Sequence, residues 1–163
     1  MVREILKFFI FVVIILIFQM TLSSHLKILG LFPDLLLIFL ITVSLNQSRH
    51  LSPVIGFTGG LIQDVLIGGT LGVFALSKSI VCYVSCLFPT GKHERSRPLL
   101  FMIFFLMALL ENMVINSFLA HESVSGYGTL FLRYGLPSSA YTAMTGIGIV
   151  LFLDWMKNHH FLR

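Results

Sequence analysis

Charge is what this sequence has least of. Only 11% of its 163 residues are Asp, Glu, Lys or Arg, while 56% are hydrophobic and sixteen are Phe. So little polar surface cannot cover a soluble globule, and the mean hydropathy of +0.94 places the chain among integral membrane proteins. Cysteine is also scarce. Cys82 and Cys86 stand one helical turn apart, which suits soft packing residues rather than a disulfide framework. The histidines, His25, His50, His93, His121, His159 and His160, fall in expected loops or tails. They form no H-x-x-x-H pair and lie near no Cys at ligand spacing, so no metal site is expected. There is no G-x-S-x-G, Walker loop or dinucleotide fingerprint. The expectation is a protein that is not an enzyme and holds no cofactor.

What the chain does have is apolar length. The residues predict an all-α integral membrane protein, a compact bundle of about six transmembrane helices in a single polytopic domain covering residues 1–163. The spans read as 5–22, 30–45, 54–67, 71–88, 99–119 and 136–153. A basic head precedes the first span, which could pass for a secretory signal, but Thr21-Leu22-Ser23 matches a cleavage site poorly and the span is read as uncleaved. Pro33-Asp34 marks a helix start, because Pro suits the first turn and Asp favours its positive end. The third span has fourteen residues, about 21 Å of helix, against roughly 30 Å of hydrocarbon. It is expected to be short, broken or re-entrant.

Around that third span the rest is organised. From Pro53 to Leu76 the chain reads PVIGFTGGLIQDVLIGGTLGVFAL, with Gly56, Gly60, Asp64, Gly68 and Gly72 at a spacing of four. On a helix these positions form one slowly winding face of small residues, with a carboxylate in its middle. Small residues admit a second backbone, and an intramembrane Asp needs a reason to be there. The occupant of that face is expected to be another span of this chain or the transmembrane helix of a partner. Gly68-Gly69-Thr70 reads as the turn into the fourth span.

The basic residues sort by side. Arg3, Lys7, Arg49, Lys92, Arg95, Arg97, Lys157 and Arg163 share one side, against Lys27 and Arg133 on the other. Both termini are therefore expected in the cytoplasm. Topology thus accounts for the formal charge of +4, with no need for nucleic acid, although the Lys92–Arg97 cluster could also touch anionic lipid or a cytoplasmic partner.

Inside the spans lie Asp64, Lys78, Glu111, Asn112 and Asn116. Lys78 and Glu111 sit at similar depth below the same membrane face. The expectation is that they pair, or that Lys78 instead reaches Asp64. Asp64 could also accept hydrogen bonds from backbone donors near the Gly68-Gly69 turn. Asp64 and Glu111 as an acid and a base of an intramembrane enzyme is a more distant reading than packing and ion pairing within the bundle.

The run Pro33-Asp34-Leu35-Leu36-Leu37, followed by Gly56-Phe57, Gly60-Leu61, Asp64, Gly68, Gly72 and Ala75-Leu76, resembles the MreD family of rod shape-determining proteins. The resemblance implies a non-enzymatic inner-membrane subunit of the cell-elongation complex. It would bind MreC and, through it, be linked to MreB filaments and the synthase of the lateral peptidoglycan wall. Besides these partners and the lipid bilayer, it implies no small-molecule substrate. Lys78 and Glu111 are not part of the pattern. An alternative from another class is the substrate-binding S component of an energy-coupling-factor transporter, in which Asp64, Lys78, Glu111 and Asn112 would line a pocket for a polar ligand.

Overall fold

The computed structural model describes residues 2–23, 33–68, 70–88, 97–119 and 135–160, and these are all-helical. Six helices follow one another: α1 (Val2–Ser23), α2 (Leu35–Ser44), α3 (Leu51–Ile67), α4 (Val73–Ser85), α5 (Arg97–Leu119) and α6 (Leu136–His160). Among the described residues, two helices hold apolar stretches long enough to cross a membrane, Arg97–Phe118 in α5 and Leu136–Met156 in α6. The expected loops over 24–29, 89–96 and 120–134 lie outside the described residues. So do His25, Lys27, Gly69, Lys92, His93, Glu94, Arg95, His121, Arg133 and Arg163.

Helix α2 is the axis of the molecule. Its sequence, LLLIFLITVS, has no polar face, and a helix apolar all round belongs in an interior. Leu37, Ile38 and Ile41 pack with Val81 of α4, Ile103, Phe104 and Met107 of α5, and Ala143 of α6. The other flank of the same helix, Leu36 and Leu40, meets Val12 and Leu16 of α1 and Cys82 of α4. At ten residues α2 is about 15 Å long, far shorter than the 30–45 segment the apolar run predicts. Its helix begins only after Asp34, and beyond the buried Leu45 at its other end Asn46–His50 forms a polar, exposed turn into α3.

Helices α3 and α4 make the most extensive contact, as an antiparallel hairpin. Helix α3 ends at Gly68, whose φ of 72° is left-handed, and α4 is entered through Gly72 at φ 98°. This corrects the expectation of a single glycine face running from Gly56 to Gly72. The spacing of four persists in the sequence, but the helix stops at Ile67, so only Gly56, Gly60 and Asp64 share the face. Gly68 and Gly72 serve the turn instead, since both take a backbone conformation costly for a residue with a Cβ. A Cβ on either would meet nothing within 4 Å, so neither is there for packing.

Candidate functional site

The fold draws three ionisable side chains from three elements to one buried point. Lys78, on α4, is fully buried. Its Nζ donates to Asp34 Oδ2 at 2.9 Å and to Glu111 Oε1 of α5, and it lies 5.7 Å from the centroid of the Phe74 ring. An ammonium in such a place needs opposite charge and acceptors to replace water, and two carboxylates supply both. The expected Lys78–Glu111 pair is present, and the alternative of Lys78 reaching Asp64 is not. Asp34 is a partner that sequence reasoning missed, because its role at the start of α2 already explained it.

Asp34 does fill that role. Its Oδ1 accepts from Leu37 N–H at 2.9 Å, a side-chain N-cap, while its own N–H donates to Thr142 Oγ1 at 3.3 Å. Leu36 N–H donates to Gln19 Oε1 of α1 at 3.3 Å. The amides of Asp34, Leu36 and Leu37, which no helical carbonyl can satisfy, are thus met by side chains from α6, from α1 and from the cap itself. Pro33, just before, is buried. Glu111 is followed by Asn112, whose Nδ2 donates to Ser139 Oγ of α6 at 3.1 Å and to Ala108 O at 3.0 Å. Gln19, Ser139 and Thr142 were not singled out from the sequence. Gln19 carried a signal, being an uncharged polar residue inside an apolar span, whereas nothing marked the two hydroxyls of α6.

Asp64 forms a second, separate constellation. Its carboxylate is buried and points at the start of α4, accepting from Gly72 N–H at 3.0 Å, Phe74 N–H at 3.2 Å and Ala75 N–H at 3.0 Å. The sequence suggested backbone donors near the turn for this residue. They are the leading amides of α4, at the positive end of its dipole, where a carboxylate is most stabilising. The four residues of the transporter-like pocket therefore do not share one surface. Lys78 and Glu111 bind each other, Asp64 is turned to backbone, and Asn112 turns to α6.

Beside Asp64 the hairpin closes backbone to backbone. A Cβ built on Gly60 would lie 2.6 Å from Ala75 Cα and closer still to Phe74 O; one on Gly56 would lie 2.8 Å from Cys82 Sγ and meet Lys78 O. Contacts below 3.0 Å with backbone cannot be relieved by a side-chain rotation. The small-residue face is covered, and its occupant is α4. Among the described residues no group of three or more His, Cys, Asp or Glu could hold a metal ion.

Nothing among curated proteins or solved structures matches this chain. It does match the family of the rod shape-determining protein MreD, over residues 2–157. That match takes in α1 to α5 and most of α6, and so both the Asp34–Lys78–Glu111 cluster and the Asp64 hairpin: the chain belongs to the MreD family of rod shape-determining membrane proteins.

Proposed function

We propose that this protein is a non-enzymatic, six-span subunit of the bacterial elongation complex, with both termini in the cytoplasm of an inner-membrane topology. In this reading it binds MreC within the membrane and, through MreC, is linked to MreB filaments and to the synthase that builds lateral peptidoglycan. Family membership across residues 2–157 carries the proposal. The internal chemistry agrees with it. Lys78, Glu111, Asp34 and Asp64 bind one another or backbone, as expected of a scaffold whose polar groups fix helix positions. Since α4 occupies the glycine face of α3, MreC would dock elsewhere on the bundle.

The test is co-purification from membranes solubilised in mild detergent, with an affinity tag on this chain. MreC retained with it supports the reading. Retention of an ATPase module or a vitamin in place of MreC would overturn it in favour of a transporter component.

A further inference from the structure

The turn between α3 and α4 is unlike the chain's other described turn. Asn46–His50, at the opposite end of α3, is polar, carries Arg49 and is exposed throughout. Residues 65–77, VLIGGTLGVFALS, carry no charge at all. Around Gly68 and Gly72 the side chains of Val65, Leu66, Ile67 and Leu71 stand uncovered, Leu71 with 74% of its surface free. These residues continue the apolar outer faces of the hairpin, Phe57 and Leu61 on α3 and Leu76, Ile80 and Tyr83 on α4.

Length points the same way. Seventeen residues give α3 about 25 Å and thirteen give α4 about 20 Å, whereas the hydrocarbon core is roughly 30 Å thick. With the Asn46–His50 turn at one interface, the end of α3 stops about 5 Å short of the other, and any tilt widens the gap. By contrast, the 23 residues of α5 and 25 of α6 reach about 34 and 37 Å.

Most of the described amides of the tip are satisfied within the protein. Gly68 N–H donates to Asp64 O at 3.1 Å, Val73 N–H to Thr70 O at 3.4 Å and Leu76 N–H to Gly72 O at 2.9 Å. Asp64 takes the amides of Gly72, Phe74 and Ala75. A turn in water could leave such donors to solvent, but one inside a bilayer must satisfy them internally. A buried carboxylate accepting three amides is what that environment requires.

We infer that the α3–α4 tip ends inside the bilayer, in the leaflet opposite the Asn46–His50 turn, where lipid acyl chains cover it and the membrane is drawn thin on that side of the protein. The inference rests on the six-span reading, and the occupant it commits to is lipid, since the tip is apolar, uncharged and continuous with the outer faces of both helices.

Nitroxide labels at Leu61→Cys, Leu71→Cys and His50→Cys test it, each in a Cys82→Ala, Cys86→Ser background. The protein is reconstituted in vesicles of dioleoyl-phosphatidylcholine and dioleoyl-phosphatidylglycerol, and collisions with oxygen and with a water-soluble nickel chelate are compared. The expected result is an oxygen-to-nickel ratio at Leu71 several-fold above that at His50 and close to that at Leu61. A nickel-accessible Leu71 beside a lipid-embedded Leu61 overturns the inference while leaving the six-span reading intact. A Leu71 shielded from both reagents also overturns it, because protein then covers the tip. Nickel access at Leu61 as well sinks the six-span reading itself. The unlabelled wild-type protein provides a second measurement, free of substitutions. Its thermal midpoint should be higher in myristoleoyl than in erucoyl vesicles, and the reverse order counts against a thinned bilayer.

Discussion

Asp34 Oδ2 and Lys78 Nζ lie 2.9 Å apart although 44 residues separate them in the chain, and the same carboxylate caps the helix at the centre of the bundle. One side chain thus joins a helix end to an ion cluster, and the two roles can be separated by substitution. Asp34→Asn keeps a good cap and removes the charge; Asp34→Ala removes both. The alanine variant should be less stable than the asparagine variant by about 1 kcal/mol, the usual worth of an N-cap. Thermal midpoints in detergent, read by loss of a monodisperse chromatography peak, would compare them.

Replacing Lys78 alone leaves Asp34 and Glu111 facing each other without a counter-charge. Lys78→Met should cost about 3–5 kcal/mol, as breaking a buried ion pair from one side does. Combining it with Asp34→Asn and Glu111→Gln should restore much of the loss. In the simpler cycle, Lys78→Ala with Glu111→Ala should fall short of the sum of the single losses. Strict additivity would show that the two groups do not interact.

How far these contacts could be read beforehand depends on what each one needs. Depth along a span is readable, because 1.5 Å per residue places Lys78 and Glu111 level with each other, which is enough to predict their pairing. Neighbourhood between helices is not. Asp34 had a sufficient local explanation at the start of α2, and nothing in the spacing says that this start lies beside α4. The glycine series misled for a related reason. A spacing of four is the same in sequence whether or not the helix continues, and only the positive φ of Gly68 and Gly72 breaks it. The apolar run before Asp34 likewise could not reveal how short α2 is.

The glycines of the bundle should respond in graded fashion to alanine. Gly60→Ala sets a Cβ 2.6 Å from Ala75 Cα, a backbone clash that should cost at least the 1–3 kcal/mol typical of overpacking. Gly59→Ala meets only the Leu40 side chain, nearest atom at 3.0 Å, and should cost less. Gly148→Ala, in α6, meets nothing within 4 Å and should be neutral or stabilising by up to about 1 kcal/mol. Equal effects at Gly60 and Gly148 would refute the close approach of α3 and α4.

Asp64→Asn leaves one carbonyl oxygen where two charged ones now accept three amides. Hydrogen bonds to charged groups contribute about 1.5–3 kcal/mol each, so a loss of at least about 2 kcal/mol is expected. The local signature is faster amide exchange at Gly72, Phe74 and Ala75 than in α5. Unchanged exchange there would mean that the carboxylate does not hold the start of α4.

Topology offers a test independent of packing. Reporters fused after Arg163 or within Pro89–Pro98 should read as cytoplasmic, and those in Ser23–Leu29 or Ala120–Gly135 as external, following the eight-to-two division of basic residues. An external C-terminus would end the six-span proposal.

The Asp34–Lys78–Glu111 cluster also sets an order in time. A ribosome makes Asp34 first and Lys78 next, and Glu111 follows 33 residues later, about 2–7 s at ordinary elongation rates. In the six-span proposal, when the ammonium of α4 enters the membrane, one counter-ion already waits there and the other has yet to be synthesised. Asp34 is thus the nascent chain's escort for Lys78, and Glu111 the latch that closes when α5 arrives. An Asp34 variant should therefore insert less efficiently, whereas a Glu111 variant should insert as the wild type does and then turn over faster, by proteolysis of an unlatched bundle.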